Sequence, residues 1–141
     1  MATHTMDTTI TRSEPTRLLR RTLQTNAVFS GISGAGMLLA AGPVARLLGL
    51  SGGLPIALLG ADLLLFAAWV GYEAMQTVLR VRRARVVLAL DIAWVVASAM
   101  IIALDPFGLS TAGKWAVAAV ADAVAVFALL EYLGLRRLRA R

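Results

Sequence analysis

The stretch Arg80 to Asp105, RVRRARVVLALDIAWVVASAMIIALD, decides how the chain folds. Its basic connection, Arg80, Arg82, Arg83 and Arg85, leads into nineteen nearly apolar residues, Val86 to Leu104, interrupted by Asp91. At about 1.5 Å per residue a helix of that length crosses the roughly 30 Å hydrocarbon core of a bilayer. A basic foot beside an apolar run is also what places a membrane span with its arginines on the cytoplasmic side.

Three further segments read the same way. Pro55 opens a span that carries Asp62 and Trp69 and leaves the membrane near Glu73. Downstream, Asp105-Pro106-Phe107-Gly108 has turn chemistry, and Ser110 or Thr111 can cap the last helix. That helix is rich in alanine and valine, carries Asp122, and ends in Glu131, Tyr132 and the cluster Arg136, Arg137, Arg139 and Arg141. Upstream, Ser30, Gly31, Ser33, Gly34 and Gly36 give the first span small residues at the spacing that lets helices approach closely, and it stops at Gly42-Pro43. The expected spans are therefore about 26–42, 54–73, 86–104 and 113–135. Leu18, Leu19 and Leu23 among Arg17, Arg20 and Arg21 suggest an interfacial turn ahead of the first span. The glycine-broken segment Val44 to Gly53 is expected as a surface connection, and the threonine-rich residues 1–15 as a disordered cytoplasmic tail.

Composition agrees with one membrane domain over 16–141. The chain has 141 residues, 59% of them hydrophobic, and a mean hydropathy of +0.77, well above that of a soluble chain of this size. It has no cysteine, and its one histidine, His4, lies in the tail, so no thiolate or imidazole ligand set exists inside the membrane for haem or zinc. No cofactor, metal or catalytic constellation is expected, and the chain is not read as an enzyme. The net charge of +6 comes from arginines flanking spans rather than lining one polar face, which fits anionic headgroups and not nucleic acid. Twelve of the fourteen basic residues lie in the N-terminal arm, the central loop and the C-terminus, against Arg46 and Lys114 on the other side. Both termini should thus face the cytoplasm, in a multi-pass protein of the cell's inner membrane. A signal peptide is the competing reading of Arg20-Arg21 followed by an apolar run to Ala40-Ala41-Gly42, set against three more spans downstream.

The two halves can be laid over each other. Asn26, Phe29 and Ser33 have the same offsets as Asp91, Trp94 and Ser98, and Ala61-Asp62 matches Ala121-Asp122. Two duplicated helical hairpins would explain this, as would chance likeness among apolar stretches.

The acids within the spans carry the functional reading. Helical spacing puts Asp91, Trp94 and Ser98 on one face, and Asn26, Ser30 and Ser33 on one face of the first span. Asp62 and Asp122 lie roughly 10 to 12 Å below the outer boundary and Asp91 roughly 7 Å above the inner one, counted along a helix. That makes an outer acidic level and an inner Asn26/Asp91 level, with no lysine or arginine deep in any span to neutralise either. Unpaired carboxylates are costly in hydrocarbon, so these acids are expected to face the interior and to be protonated, hydrated or bound to something cationic. Asp62 and Asp122 would share a proton if they approached each other. The structural alternative makes each protonated acid a hydrogen-bonding link between helices. Glu73 and Glu131, beside arginines, read as solvated interfacial salt bridges. The candidate ligand- or proton-binding residues are Asp62, Asp91, Asp122, Asn26, Trp94 and Ser98.

In size, span count and basic cytoplasmic ends the chain resembles the small four-helix membrane proteins of bacteria, the DoxX-like group among them. It is also similar in size to small multidrug exporters, but their first span holds a glutamate where this one carries Asn26 and no acid. The resemblance implies an all-α, antiparallel four-helix transmembrane bundle in a bacterial membrane and carries no residue roles with it. The expected function is binding of a hydrophobic or cationic ligand, or of a membrane partner or second copy, through a polar bundle interior. A proton-coupled small transporter and a membrane scaffold are the alternatives.

Overall fold

Five helices account for nearly all of residues 14–139, which are the residues that the computed structural model describes; the predicted tail therefore lies outside them except at its last two positions. They are α1 (Glu14–Leu39), α2 (Ala41–Leu48), α3 (Leu54–Met75), α4 (Val81–Leu104) and α5 (Thr111–Arg139). Helices α3, α4 and α5 are long and apolar enough to cross a membrane, and α1 joins them if it is counted together with α2 as one bent span. In the most apolar stretches of α3, α4 and α5 only 22%, 17% and 22% of residues are buried within the protein. Most of that apolar surface faces outward, with Leu54, Leu58, Leu65, Val96, Met100 and Leu104 among its exposed side chains. Surface of this kind is compatible with a membrane-embedded protein and is far more than a soluble monomer shows.

Three boundaries differ from the sequence reading. The supposed interfacial turn is the first part of α1, which runs unbroken from Glu14. Residues 44–53 are not simply a surface connection, because α2 occupies 41–48 after a bend of 93°. Pro43 explains the bend: it has no N–H to give the Leu39 carbonyl, so it ends one helix and is tolerated in the first turn of the next. Third, α4 begins at Val81, so Arg82, Arg83 and Arg85 form its first turns rather than a connection.

Helix α1 is central. It packs along α3 and α5, α4 packs along α5, and α3 and α4 hardly touch over their lengths. Gly71, Ala67 and Gly60 of α3 meet Ala27, Gly31 and Gly34 of α1 in that order, so the two run antiparallel. A methyl group on Gly34 would lie 2.7 Å from the Gly60 carbonyl oxygen, and one on Gly60 equally close to the Gly34 oxygen. Only two glycines allow backbones to cross at that distance. Leu19 against Gly134 and Phe29 against Phe127 show that α5 also runs antiparallel to α1.

At one end all four long helices share a core of Leu19, Leu23, Val70, Ala74, Ala84, Val87 and Leu135. Polar contacts reinforce this end: Arg83 of α4 pairs with buried Glu73 of α3, and Arg20 of α1 donates to the Ala74 and Thr77 carbonyls where α3 ends. At the other end α2 lies against α3 and α5. There the Ser110 amide donates to the Leu48 carbonyl at 2.9 Å, while the Ser110 hydroxyl accepts from the Gly113 amide at 2.9 Å and so caps α5. Asp105 closes α4 in the left-handed region, accepting from the Leu109 amide and from Lys114, both at 2.7 Å.

Candidate functional site: a cavity backed by a buried polar cluster

Because α3 and α4 do not pack directly, a cavity of about 530 Å³ remains between them. Phe29, Ser30 and Ser33 of α1 form one wall and Val120 and Val124 of α5 another. From α3 come Asp62, Leu63, Phe66 and Trp69, and from α4 Leu90, Asp91, Ala93, Trp94 and Ala97. The lining is thus largely apolar and aromatic with a few polar groups, which is the usual make-up of a small-molecule site. Phe66 and Trp69 stand 6.3 Å apart with tilted rings on the α3 side, and Phe29 bridges from the cavity to Phe127 at 5.5 Å.

Behind the Asp91 wall lies a buried polar cluster assembled from three helices. Asn26 of α1 donates through Nδ2 to Asp91 Oδ2 of α4 at 2.7 Å and to Glu131 Oε1 of α5 at 3.2 Å. Its Oδ1 accepts from the Ser30 hydroxyl at 3.2 Å, so one amide organises both carboxyls and a hydroxyl. Asn26, Ser30, Asp91 and Glu131 are all at most 5% exposed. Two buried polar atoms lack a partner among the described residues: Glu131 Oε2, and the indole Nε1 of Trp94 in the cavity wall. Ion pairs among the described residues are confined to Arg83–Glu73 and Lys114–Asp105, so no described lysine or arginine pairs with Asp91 or Glu131. Among these residues no group of three or more acidic or histidine side chains forms a metal centre.

The sequence-derived candidates separate into two groups. Asn26 and Asp91 are bonded to each other, Trp94 lies beside them in the cavity wall, and Ser98 is buried one turn and more further along α4. Asp62 lines the cavity but is itself exposed, and Asp122 is exposed and takes no part in the lining. Asp122 thus departs from the expectation that both would face the bundle interior, while Asp62 reaches the cavity only from an exposed position; each sits beside, not on, the buried row of its helix. That row is Ile56, Gly60, Ala67, Val70 and Ala74 in α3 and Ala121, Val124, Ala128, Glu131 and Leu135 in α5.

Both glutamates also depart from the sequence reading. Glu73 does have its arginine but is only 4% exposed, and Glu131 is fully buried with no arginine partner among the described residues. Alternating intervals of three and four along 121, 124, 128, 131 and 135 place Glu131 on the seam of small residues, a signal present in the sequence that its arginine-rich surroundings obscured.

Compared with known proteins, the chain matches no protein-family model, no curated protein and no solved structure.

Proposed function

We propose that this is a four-span integral membrane protein of a bacterial inner membrane, with both termini cytoplasmic, that binds a hydrophobic small molecule between α3 and α4. The observation that carries the reading is the cavity itself. Its volume suits a drug-sized ligand, its walls are aromatic and aliphatic, and its few polar groups are Ser30, Ser33, Asp62 and Asp91. The position of the gap, between two helices whose outer faces are apolar, supports access from the bilayer rather than from water. The shared offsets of Asn26, Phe29 and Ser33 with Asp91, Trp94 and Ser98 support a hairpin duplication, since the first member of each set bonds to the other across the bundle.

A second reading, proton-coupled transport, is favoured by one feature. Asp91 is backed through Asn26 by a second carboxyl, Glu131, and a proton held between them could be released when the cavity fills. A partner-docking scaffold is less well supported, because Gly31 and Gly34, the close-packing residues of α1, are already occupied by α3.

Native mass spectrometry of the full chain released from mild detergent tests the ligand reading, with wild type beside Ala97→Trp. The expected result is a reproducible bound molecule on the wild type that is missing from the variant, whose indole takes up the cavity. An empty wild-type protein from freshly solubilised membranes, matching the variant in mass and stability, would overturn it.

A further inference from the structure

We infer that the molecule held between α3 and α4 is an organic cation, with its charge against Asp91 and its hydrophobic groups against Phe66, Trp69 and Trp94. The inference rests on the ligand-binding reading and narrows it. Its first support is the sign of charge around the cavity. The ionisable groups in the lining are Asp62 and Asp91, and no lysine, arginine or histidine joins them. The chain is nonetheless strongly basic, so this separation runs against its composition. Arginines collect at the opposite pole, where Arg17, Arg20 and Arg21 line a separate cleft with Thr77 beyond the end of α3.

Second, the acid at the wall is not balanced from behind. Asn26 supplies Asp91 with a neutral amide donor, and the next group in line is another carboxyl, Glu131, whose Oε2 has no partner. Two carboxyls with no lysine or arginine partner among the described residues attract a positive charge placed beside them and disfavour an anion there. Third, the walls suit such a charge. Indole and phenyl faces attract cations held close to them, most strongly where water is excluded.

Three hydrophobic probes of similar bulk separate this inference from the reading beneath it: tetraphenylphosphonium, tetraphenylborate and the neutral triphenylmethane. Binding in lipid vesicles is read from tryptophan fluorescence of the full chain carrying Trp115→Phe, which leaves Trp69 and Trp94 as its fluorophores. The cation should bind at least about tenfold tighter than the anion. Asp91→Asn should remove that preference and keep triphenylmethane binding, and Asp62→Asn, at an exposed position that the fold does not depend on, should reduce it. Equal binding of cation and anion would overturn the inference and leave the ligand-binding reading intact. A preference that survives in both variants would belong to the bilayer and would overturn it too. Failure of all three probes to bind would overturn the ligand-binding reading itself.

Discussion

The α1–α5 interface and the gap between α3 and α4 join neighbouring long helices of the same bundle, yet one is closed and the other open. Along α1–α5, Leu19 sits against Gly134, Asn26 reaches Glu131, and Phe29 meets Phe127, so the seam is closed at three levels by a small residue, a polar link and a ring pair. Between α3 and α4 the lining combines the bulky Leu63, Phe66, Trp69, Leu90 and Trp94 with the small Ala93 and Ala97 of α4. Only towards one end, where Val70 and Ala74 join Ala84 and Val87 in the core, do these two helices come together. With no apolar driving force between helices in lipid, closeness depends on shape, and bulky side chains of this kind hold two helices apart. The cavity is thus a consequence of side-chain size along two helices and not of a missing segment.

That contrast can be broken most directly at Asn26, the residue that ties α1 to α5 and α4 at once. Asn26→Leu removes the shared donor and leaves two buried carboxyls without it, a loss of about 2 to 4 kcal/mol. Thermal unfolding in detergent should show a large fall in midpoint. An unchanged midpoint would mean that the polar cluster does not hold the closed interface. A matched pair of substitutions sharpens the comparison with smaller effects. Ala128→Leu adds bulk to the packed side and should destabilise by about 1 to 3 kcal/mol, whereas Ala97→Leu adds the same bulk to the cavity and should change stability by less than about 1 kcal/mol. Similar losses at both positions would show that the gap is filled in the bilayer by close packing.

The smallest expected effect lies at the turn between α4 and α5. Lys114 and the Leu109 amide hold the Asp105 carboxyl below its ordinary value, so this contribution is present above the ordinary carboxylate range and is lost as pH falls through the lowered value. Amide exchange at Leu109, followed as the pH is lowered, should speed up relative to its neighbours beyond the intrinsic pH trend. The Asp105→Asn variant, which keeps an oxygen acceptor but not the charge, should show a weaker pH response.

Much of this architecture was legible in the sequence because length and hydropathy are one-dimensional quantities. Residues 54–73, 86–104 and 113–135 fall within α3, α4 and α5 without any knowledge of packing. Facing is different. These helices are apolar on every side, so hydropathy alone did not separate the buried row through Asp91 from the exposed positions of Asp62 and Asp122. Asn26 and Asp91 were recognisable as one level because both are isolated polar residues at matching depth. Glu131 belongs to that level, but its neighbours Arg136 and Arg137 suggested a solvated pair, and the small-residue spacing that points inward was the quieter signal. The helical course of α2 was hidden for a related reason. Gly42-Pro43 ends a helix in any sequence reading, and whether another begins at once depends on tertiary support from α3 and α5.

The bend at Ala40 has a mechanical consequence. By turning through 93°, the chain lays α2 as a crossbeam over the N-terminal ends of α3 and α5, seated where Gly113 meets Leu48 and fastened by Ser110 to the Leu47 and Leu48 carbonyls. Helices α1, α3 and α5 form a braced frame, like three legs under one strut. Helix α4 lies outside the brace: it is pinned to α3 at the far end through Arg83 and Glu73, tied to α1 through Asp91 and Asn26, and packed along α5. The strut thus braces three of the four long helices directly, and the fourth, which carries Asp91 and Trp94 along the cavity, is held from the side by α1 and α5.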